Sequence, residues 1–188
     1  MVELEQSENT QKIMRFFNSG NKDMRRKLGK IVSSKNEENW YNPKLFEKNI
    51  RLKLPKDLEI LSVPPVKNLN YNCFVYVLRL QNNPLFLGNV GWDFTHSLGN
   101  VFDELIKNKV LKKIDTPQKD DLIIYRADSG EISHVGLVAS QQKIISKWSW
   151  GPVIKHSIFN VPDHYGNNIE FYGMSDLVVK LVLERNKE

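Results

Sequence analysis

The chain has 188 residues, of which 40% are hydrophobic and 10% aromatic, and its formal net charge is +5. This composition is sufficient for a buried core and excludes disorder as the main state. The single cysteine excludes an intramolecular disulfide, and no apolar run reaches the roughly 18 residues of a membrane span.

The N-terminus is acidic and polar, and no basic segment followed by an apolar one occurs there. We therefore expect no signal peptide, and a protein that is cytoplasmic or exported without one. A modest basic cluster is interpreted as a solvated helix face, because no aromatic residues alternate with its charges. We therefore expect no nucleic-acid partner, and the lack of a long apolar run predicts no membrane span. The cluster consists of Lys22, Arg25, Arg26, Lys27 and Lys30.

Residues 1–60 are predicted to form a helical N-terminal appendage. Apolar residues at helical spacing indicate one helix around residues 13–17 and a second over 24–32, and a short helix is expected after Asn42-Pro43. The segment 58–65 is expected to be extended chain on the surface, since its consecutive prolines forbid a helix and hinder sheet pairing.

Residues 61–188 are predicted to form the core domain, in which helices precede strands. Apolar patterns favour helices over 73–80 and 94–110. Short strands joined by tight turns follow, which indicates an α+β domain with helices packed on an antiparallel sheet or small open barrel. These strands are predicted at 120–126, 132–138, 143–148, 153–159, 169–172 and 177–183.

Cys73 is the centre of the predicted site. It follows Tyr71-Asn72 and begins an apolar helix, so its thiol would lie at the positive end of the helix dipole, which favours the reactive thiolate. A lone cysteine can equally be a small core residue. The backbone N–H of Cys73 and a side chain of Tyr71, Asn72 or Asn70 are candidates to stabilise an oxyanion, with helix capping as the alternative role for these side chains.

A cysteine nucleophile needs a base, normally histidine, and a third group that orients this base. His134 is the strongest candidate among the four histidines, because it lies on a predicted strand directly before Val135-Gly136. The ordinary alternative for a single histidine is a surface position or a satisfied position in the core. The pair Cys73 and His134 is therefore the predicted catalytic pair.

These motifs, in this order, resemble the permuted papain-like hydrolases, namely the NlpC-type and CHAP amidohydrolases. A closer likeness is to a less characterised papain-like group with Tyr-Asn-Cys, His-Val-Gly and Ser-Lys-Trp-Gly motifs, although here Ser149-Trp150 precede Gly151. The resemblance covers about residues 65–175 and implies a papain-like core. It rests on Tyr71-Asn72-Cys73, Asp121 to Tyr125, Ser133 to Val138 and Ser146-Lys147-Trp148.

The resemblance also implies a polar third catalytic residue about a dozen positions beyond His134. Ser146 holds that place but orients an imidazole more weakly than Asn or a carboxylate would, and His156 on the next strand is the alternative. Asn72 and Asp120 depart from the NlpC-type pattern, which has Asp and Gly at those positions.

The sequence thus predicts a cysteine-dependent amide hydrolase, a peptidase or amidase that acts through an acyl-enzyme intermediate. A peptide or peptidoglycan-like amide substrate follows from the resemblance alone, and a protein partner is a further candidate. Two alternatives stay open, namely an acyltransferase or transamidase with the same Cys-His pair, and a catalytically inactive papain-like binding module.

No cofactor or metal is expected. The chain has neither a phosphate loop nor a dinucleotide fingerprint. The spacing of His156, Asp163 and His164 matches no compact zinc motif. Trp92, Trp148 and Trp150 are assigned either to a substrate groove or to the core, with position alone favouring the core.

Overall fold

The computed structural model describes residues 22–33, 37–64, 71–83 and 92–185, with the side chains of residues 37, 92–97 and 185 left aside. The helix predicted around residues 13–17 lies outside these ranges. No helix within them is long and apolar enough to cross a lipid bilayer.

Three helices precede the sheet: α1 (Lys22–Val32), α2 (Glu37–Tyr41) and α3 (Pro43–Asn49), followed by a 3-10 turn (Arg51–Lys53). The helix α3 begins where the sequence predicts, because the Asn42 side chain accepts the backbone N–H groups of Lys44 and Leu45 and proline occupies the first helical position. The predicted helix over 24–32 is likewise confirmed as α1.

One basic residue of α1 is buried. Arg25 donates to Asn167 Oδ1 at 2.8 Å and to the carbonyl oxygens of Gly166 and Pro162 at 2.6 and 3.3 Å. The interpretation of the basic cluster as a solvated helix face is therefore wrong for Arg25, while the other four residues of the cluster are exposed. Arg25 therefore fixes α1 to the segment 162–167.

The described strands form one open antiparallel sheet in the order β1-β6-β5-β4-β3-β7-β2. The predicted α+β class with an antiparallel sheet is thus confirmed. The sheet comprises β1 (Glu59–Ser62), β2 (Lys112–Lys113), β3 (Leu122–Arg126), β4 (Ile132–Ser140), β5 (Lys143–Lys147), β6 (Val153–Ser157) and β7 (Asn168–Gly173). A 3-10 turn (Asp163–Tyr165) lies between β6 and β7.

The edge strand β1 corrects one expectation. Residues 59–62 are extended as expected, but they pair with β6 instead of merely crossing the surface. Pairing is allowed because Pro64-Pro65 follow the strand and do not interrupt it. This strand crosses residue 60, and the domain boundary placed there stays a prediction.

The strand predicted at 177–183 is wrong, because this segment is the helix α6 (Asp176–Arg185). Its run of β-branched residues favours a strand, yet burial follows the helical period: Val178 and Val182, four residues apart, are both fully buried. Asp176 in the first turn favours a helix start, since a negative charge there interacts well with the helix dipole.

Strand alternation divides the sheet into two buried faces. Ile124, Val135 and Leu137 point to one side, where they pack against Cys73 and the helices α4 (Cys73–Val77), α5 (Trp92–Lys107) and α6. We call this side the Cys73 face. The predicted helices at 73–80 and 94–110 are confirmed as α4 and α5, although α4 ends after five residues.

The opposite side is the N-terminal face, on which Ile123, Tyr125 and Val138 point toward α1–α3. Its core includes Leu28 of α1 and Phe46 of α3, both fully buried. Helices therefore cover both faces of the sheet, and a side chain on β4 or β5 reaches one core or the other according to the parity of its position.

Candidate active site

Cys73 occupies the first position of α4, as the sequence predicts. The Asn72 side chain caps this helix by accepting the Val75 N–H at 3.1 Å, and only 7% of Cys73 is exposed. Burial raises the pKa of the Cys73 thiol to about 11. Hydrogen bonds from the backbone N–H groups of Val135, Phe74 and Cys73 itself oppose this shift, as does the charge of Lys147.

Lys147, at the end of β5, is fully buried on the Cys73 face. Its Nζ donates to the Gly151 carbonyl oxygen and lies 4.6 Å from the centroid of the Tyr71 ring. Burial lowers the pKa of Lys147 to about 7, and the neighbouring Cys73 thiolate opposes this shift. Sequence reasoning did not select this residue, although a lysine among apolar residues of a predicted strand was a usable signal.

His134 points to the other side of β4. It is paired with Tyr125 across the sheet, and its ring stacks on Tyr165 with the two centroids 3.9 Å apart and the planes 9° from parallel. Only 1% of the residue is exposed, and burial holds the pKa of His134 well below its usual value, helped by His156 and His164. Its Nε2 has no hydrogen-bond partner among the described residues.

Two features connect Cys73 with His134, although no hydrogen bond or ring contact joins them within the described ranges. The backbone N–H of Val135, next to His134, lowers the pKa of the thiol. Tyr165 stacks on His134, and after burial the Cys73 thiolate is the next cause that raises the pKa of Tyr165. Tyr165 is therefore in ring contact with His134, and its pKa responds to the charge of the Cys73 thiolate.

With this geometry established, comparison with known proteins identifies a family. A family model described as a domain of unknown function, DUF7689, matches residues 65–173, more than half of the chain. The chain belongs to this family. No curated protein and no solved structure matches it. The DUF7689 segment contains Cys73, His134 and Lys147 together with strands β2 to β7, while α1–α3 and β1 precede it.

The two candidates for the third residue contact each other in the DUF7689 segment. Ser146 Oγ lies 2.8 Å from His156 Nε2 and accepts the Trp148 indole N–H at 3.0 Å. His156 Nδ1 is 2.9 Å from its neighbour's carbonyl, the Ser157 oxygen, which assigns the proton to Nδ1 and makes Nε2 the acceptor of the Ser146 hydroxyl. Neither side chain has a hydrogen bond to His134 among the described residues.

The remaining predicted residues have identifiable neighbours. Tyr71 lies under the Lys147 ammonium, and the Asn72 carboxamide oxygen caps α4, so capping is observed and an oxyanion role for either residue stays a prediction. Trp148 is fully buried and stacks on Trp40, which places it in the core instead of a groove. Trp150 is half-buried against Tyr41.

No cluster of three metal-ligating side chains occurs in the described part of the chain. A surface cleft of about 310 Å³ lies at the far end of α4, lined by residues that include Tyr76, Leu137 and the ion pair of Arg79 with Asp120 at 3.2 Å. Cys73 and Lys147 do not line this cleft. The candidate site is therefore the buried group around the start of α4.

Proposed function

We propose that this DUF7689 protein is a cysteine-dependent amide hydrolase with a papain-like core, in which Cys73 forms the acyl-enzyme. One observation carries the proposal: the only thiol of the chain begins a buried helix, where the backbone N–H groups of Val135, Phe74 and Cys73 lower its pKa against the effect of burial. Backbone N–H groups arranged in this way can also stabilise negative charge that develops next to the sulfur.

In the proposed mechanism, Cys73 attacks the carbonyl carbon of an amide and His134 serves as the base. Its Nε2 is unpartnered among the described residues, and its lowered pKa keeps the imidazole neutral and able to accept a proton. The imidazolium then protonates the leaving amine, and His134 next takes a proton from the water that hydrolyses the thioester. Because His134 points to the other side of β4 from Cys73, this role requires a rearrangement at the start of β4 that brings Nε2 within hydrogen-bond reach of the sulfur.

The substrate class proposed is a peptide or a peptidoglycan-like amide. Two observations favour a second candidate, an inactive binding module with the same core: burial raises the pKa of the Cys73 thiol, and no hydrogen bond joins this thiol to His134 within the described ranges. The two candidates differ in whether Cys73 can be acylated and can then lose its acyl group to water.

An activated ester distinguishes them. The protein is treated with p-nitrophenyl acetate, release of p-nitrophenolate is followed, and the acetylated residue is located by peptide mapping. We expect a hydroxylamine-sensitive acetyl group on Cys73, turnover by the natural sequence and none by Cys73→Ala. His134→Gln should slow both acylation and deacylation by about 100-fold, in the range of general base catalysis.

The hydrolase proposal fails if Cys73 is not acetylated, or if Cys73→Ala releases p-nitrophenolate as fast as the natural sequence. In that event the binding module is favoured. Acylation without turnover supports the alternative in which an amine or alcohol replaces water as the acceptor, and adding hydroxylamine or glycinamide then restores turnover.

A further inference from the structure

We propose that the cleft at the far end of α4 is a binding site for a free α-amino acid with an apolar side chain. Two basic side chains, one carboxylate and several apolar residues line this cleft, whose volume of about 310 Å³ lies at the lower end of the range for small-molecule sites. The inference does not rest on the proposed function, because neither Cys73 nor His134 lines the cleft.

The cleft has a charged rim and an apolar floor. The helix α4 and the chain directly after it supply Tyr76, Arg79 and Gln81, and the turn before β3 supplies Lys119 and Asp120. The three charged side chains are exposed and form the rim. Four buried or half-buried apolar residues of β4 and β5 form the floor: Leu137, Val138, Ala139 and Ile145.

The ion pair on the rim joins two residues with an unfavourable backbone. Arg79 and Asp120, 3.2 Å apart, both adopt the left-handed conformation, with φ of 57° and 71°. A Cβ makes this conformation costly, whereas glycine adopts it freely. The side chains are 70% and 55% exposed, so their ion pair contributes little stability to offset the two backbone penalties. Strain of this kind is typical of binding sites.

A left-handed residue after a helix is not a site by itself, as Lys109 shows. Lys109 follows α5 with the same φ of 57°, and the next residue donates its N–H to the carbonyl five positions back, as Leu80 does after α4. Lys109 does not line the cleft. Arg79 differs because its partner Asp120 is also left-handed and both residues line one cleft. Lys109 therefore provides a matched control.

The charges on the rim match a zwitterion. The Arg79 guanidinium and the Lys119 ammonium can donate to a carboxylate, and the Asp120 carboxylate can accept from an ammonium. An α-amino acid carries both groups on one carbon, so it can replace the direct contact between Arg79 and Asp120 with one contact to each. A simple anion would leave Asp120 without a counter-charge, and a simple cation would leave the two basic side chains without one.

One polar atom of the cleft wall needs a donor. Gln81 Oε1 is buried and has no hydrogen-bond partner among the described residues. A buried acceptor without a donor is unfavourable, and a terminal amide rotates readily about its last bond. The ammonium of an amino acid has three N–H groups, which is enough for both Asp120 and Gln81. The apolar side chain of the ligand can then bury its surface on the floor.

Three small molecules test this assignment: L-leucine, L-leucinamide, which lacks the carboxylate, and 4-methylvalerate, which lacks the ammonium. Binding is followed by the backbone amide signals of 15N-labelled protein. We expect L-leucine to shift the signals of Arg79, Asp120 and Ala139 with a Kd on the order of 1 mM, as is usual for so small a ligand. L-Leucinamide and 4-methylvalerate should bind at least about tenfold more weakly, because each loses a charged contact.

A matched pair of variants separates binding from stability. Arg79→Gly should weaken the binding of L-leucine about tenfold or more, while its urea midpoint should be equal to or higher than that of the natural sequence, because a backbone penalty is removed. Lys109→Gly removes the same penalty after α5 and should leave the binding of L-leucine unchanged.

The inference is overturned if L-leucine leaves the three signals unshifted at about 10 mM, ten times the expected Kd. It is also overturned if L-leucinamide or 4-methylvalerate binds as tightly as L-leucine, since the cleft would then take a simple cation or anion, or if Arg79→Gly binds L-leucine as well as Lys109→Gly does. Acetylation of Cys73 tests the proposed function separately, so either proposal can fail alone.

Discussion

Stability should fall steeply in mild acid because the sheet buries two neutral histidines. His156 is fully buried, and burial lowers its pKa to about 4. In the unfolded chain the same imidazole takes up its proton near its ordinary value of about 6.5. Between these two values the unfolded state binds one more proton than the folded state, so acid shifts the equilibrium toward unfolding.

The size of this effect follows from the two pKa values. One proton contributes about 1.4 kcal/mol per pH unit, so His156 alone removes about 3 kcal/mol of the free energy of unfolding between about pH 6.5 and 4. The pKa of His134 shifts in the same direction, so this residue steepens the combined slope further. The contribution is complete above pH ~6.5 and is lost as the pH falls.

Urea unfolding followed by tryptophan fluorescence, repeated between about pH 7.5 and 4.5, measures this slope. His156→Gln cannot titrate, so its slope should be smaller by about 1.4 kcal/mol per pH unit whatever its absolute stability. His164→Gln is the matched control, because His164, on the 3-10 turn Asp163–Tyr165, is about half-exposed and solvent screens its contribution. A His156→Gln slope equal to that of the natural sequence would refute the neutral, buried state of His156.

Two packing predictions use matched pairs in the same unfolding assay. Gly136→Ala should lower the free energy of unfolding by about 1–3 kcal/mol, because the new Cβ would lie 2.7 Å from Ile144 Cγ2. Gly173→Ala, whose Cβ would have nothing within 4 Å, should lower it by under about 0.5 kcal/mol. Equal losses in the two variants would contradict this prediction. Arg25→Met should cost about 2–4 kcal/mol by leaving two carbonyls without their donor, and the exposed Arg26→Met should be nearly neutral; similar losses would show that the buried hydrogen bonds do not stabilise the fold.

The helices and strands that the sequence predicts well are those in which local pattern and burial agree. In β3 the run Leu122–Arg126 is buried on both faces, and in α3 the Asn42-Pro43 cap specifies the start. The segment of α6 is predicted as a strand because valines locally favour strands, whereas in the fold they are buried on one face of a helix. Burial of positions 178 and 182 against the Cys73 face depends on the rest of the fold, which no short window contains.

The candidate site shows the same division. The sequence specifies that Cys73 begins a helix and that His134 lies on a strand. It does not specify which face of the sheet that helix covers, and this choice decides that Lys147, and not Ser146, lies near the thiol. Counting a dozen residues from His134 also cannot give the third residue, because Ser146 meets His156 through the register of the β5–β6 hairpin, where Ser146 is opposite Ile154.

The N-terminal helices support the site from the other side of the sheet. Trp40 of α2 donates its indole N–H to the Trp148 carbonyl at 3.0 Å, and its ring lies so close to Gly151 that a Cβ there would be 2.1 Å from the indole nitrogen. The carbonyl oxygen of the same Gly151 accepts a hydrogen bond from the Lys147 ammonium. Glycine is thus required at 151 for the turn to lie between an indole and an ammonium. The helices that precede the DUF7689 segment therefore position the turn on which Lys147 depends, and with it the charge next to Cys73.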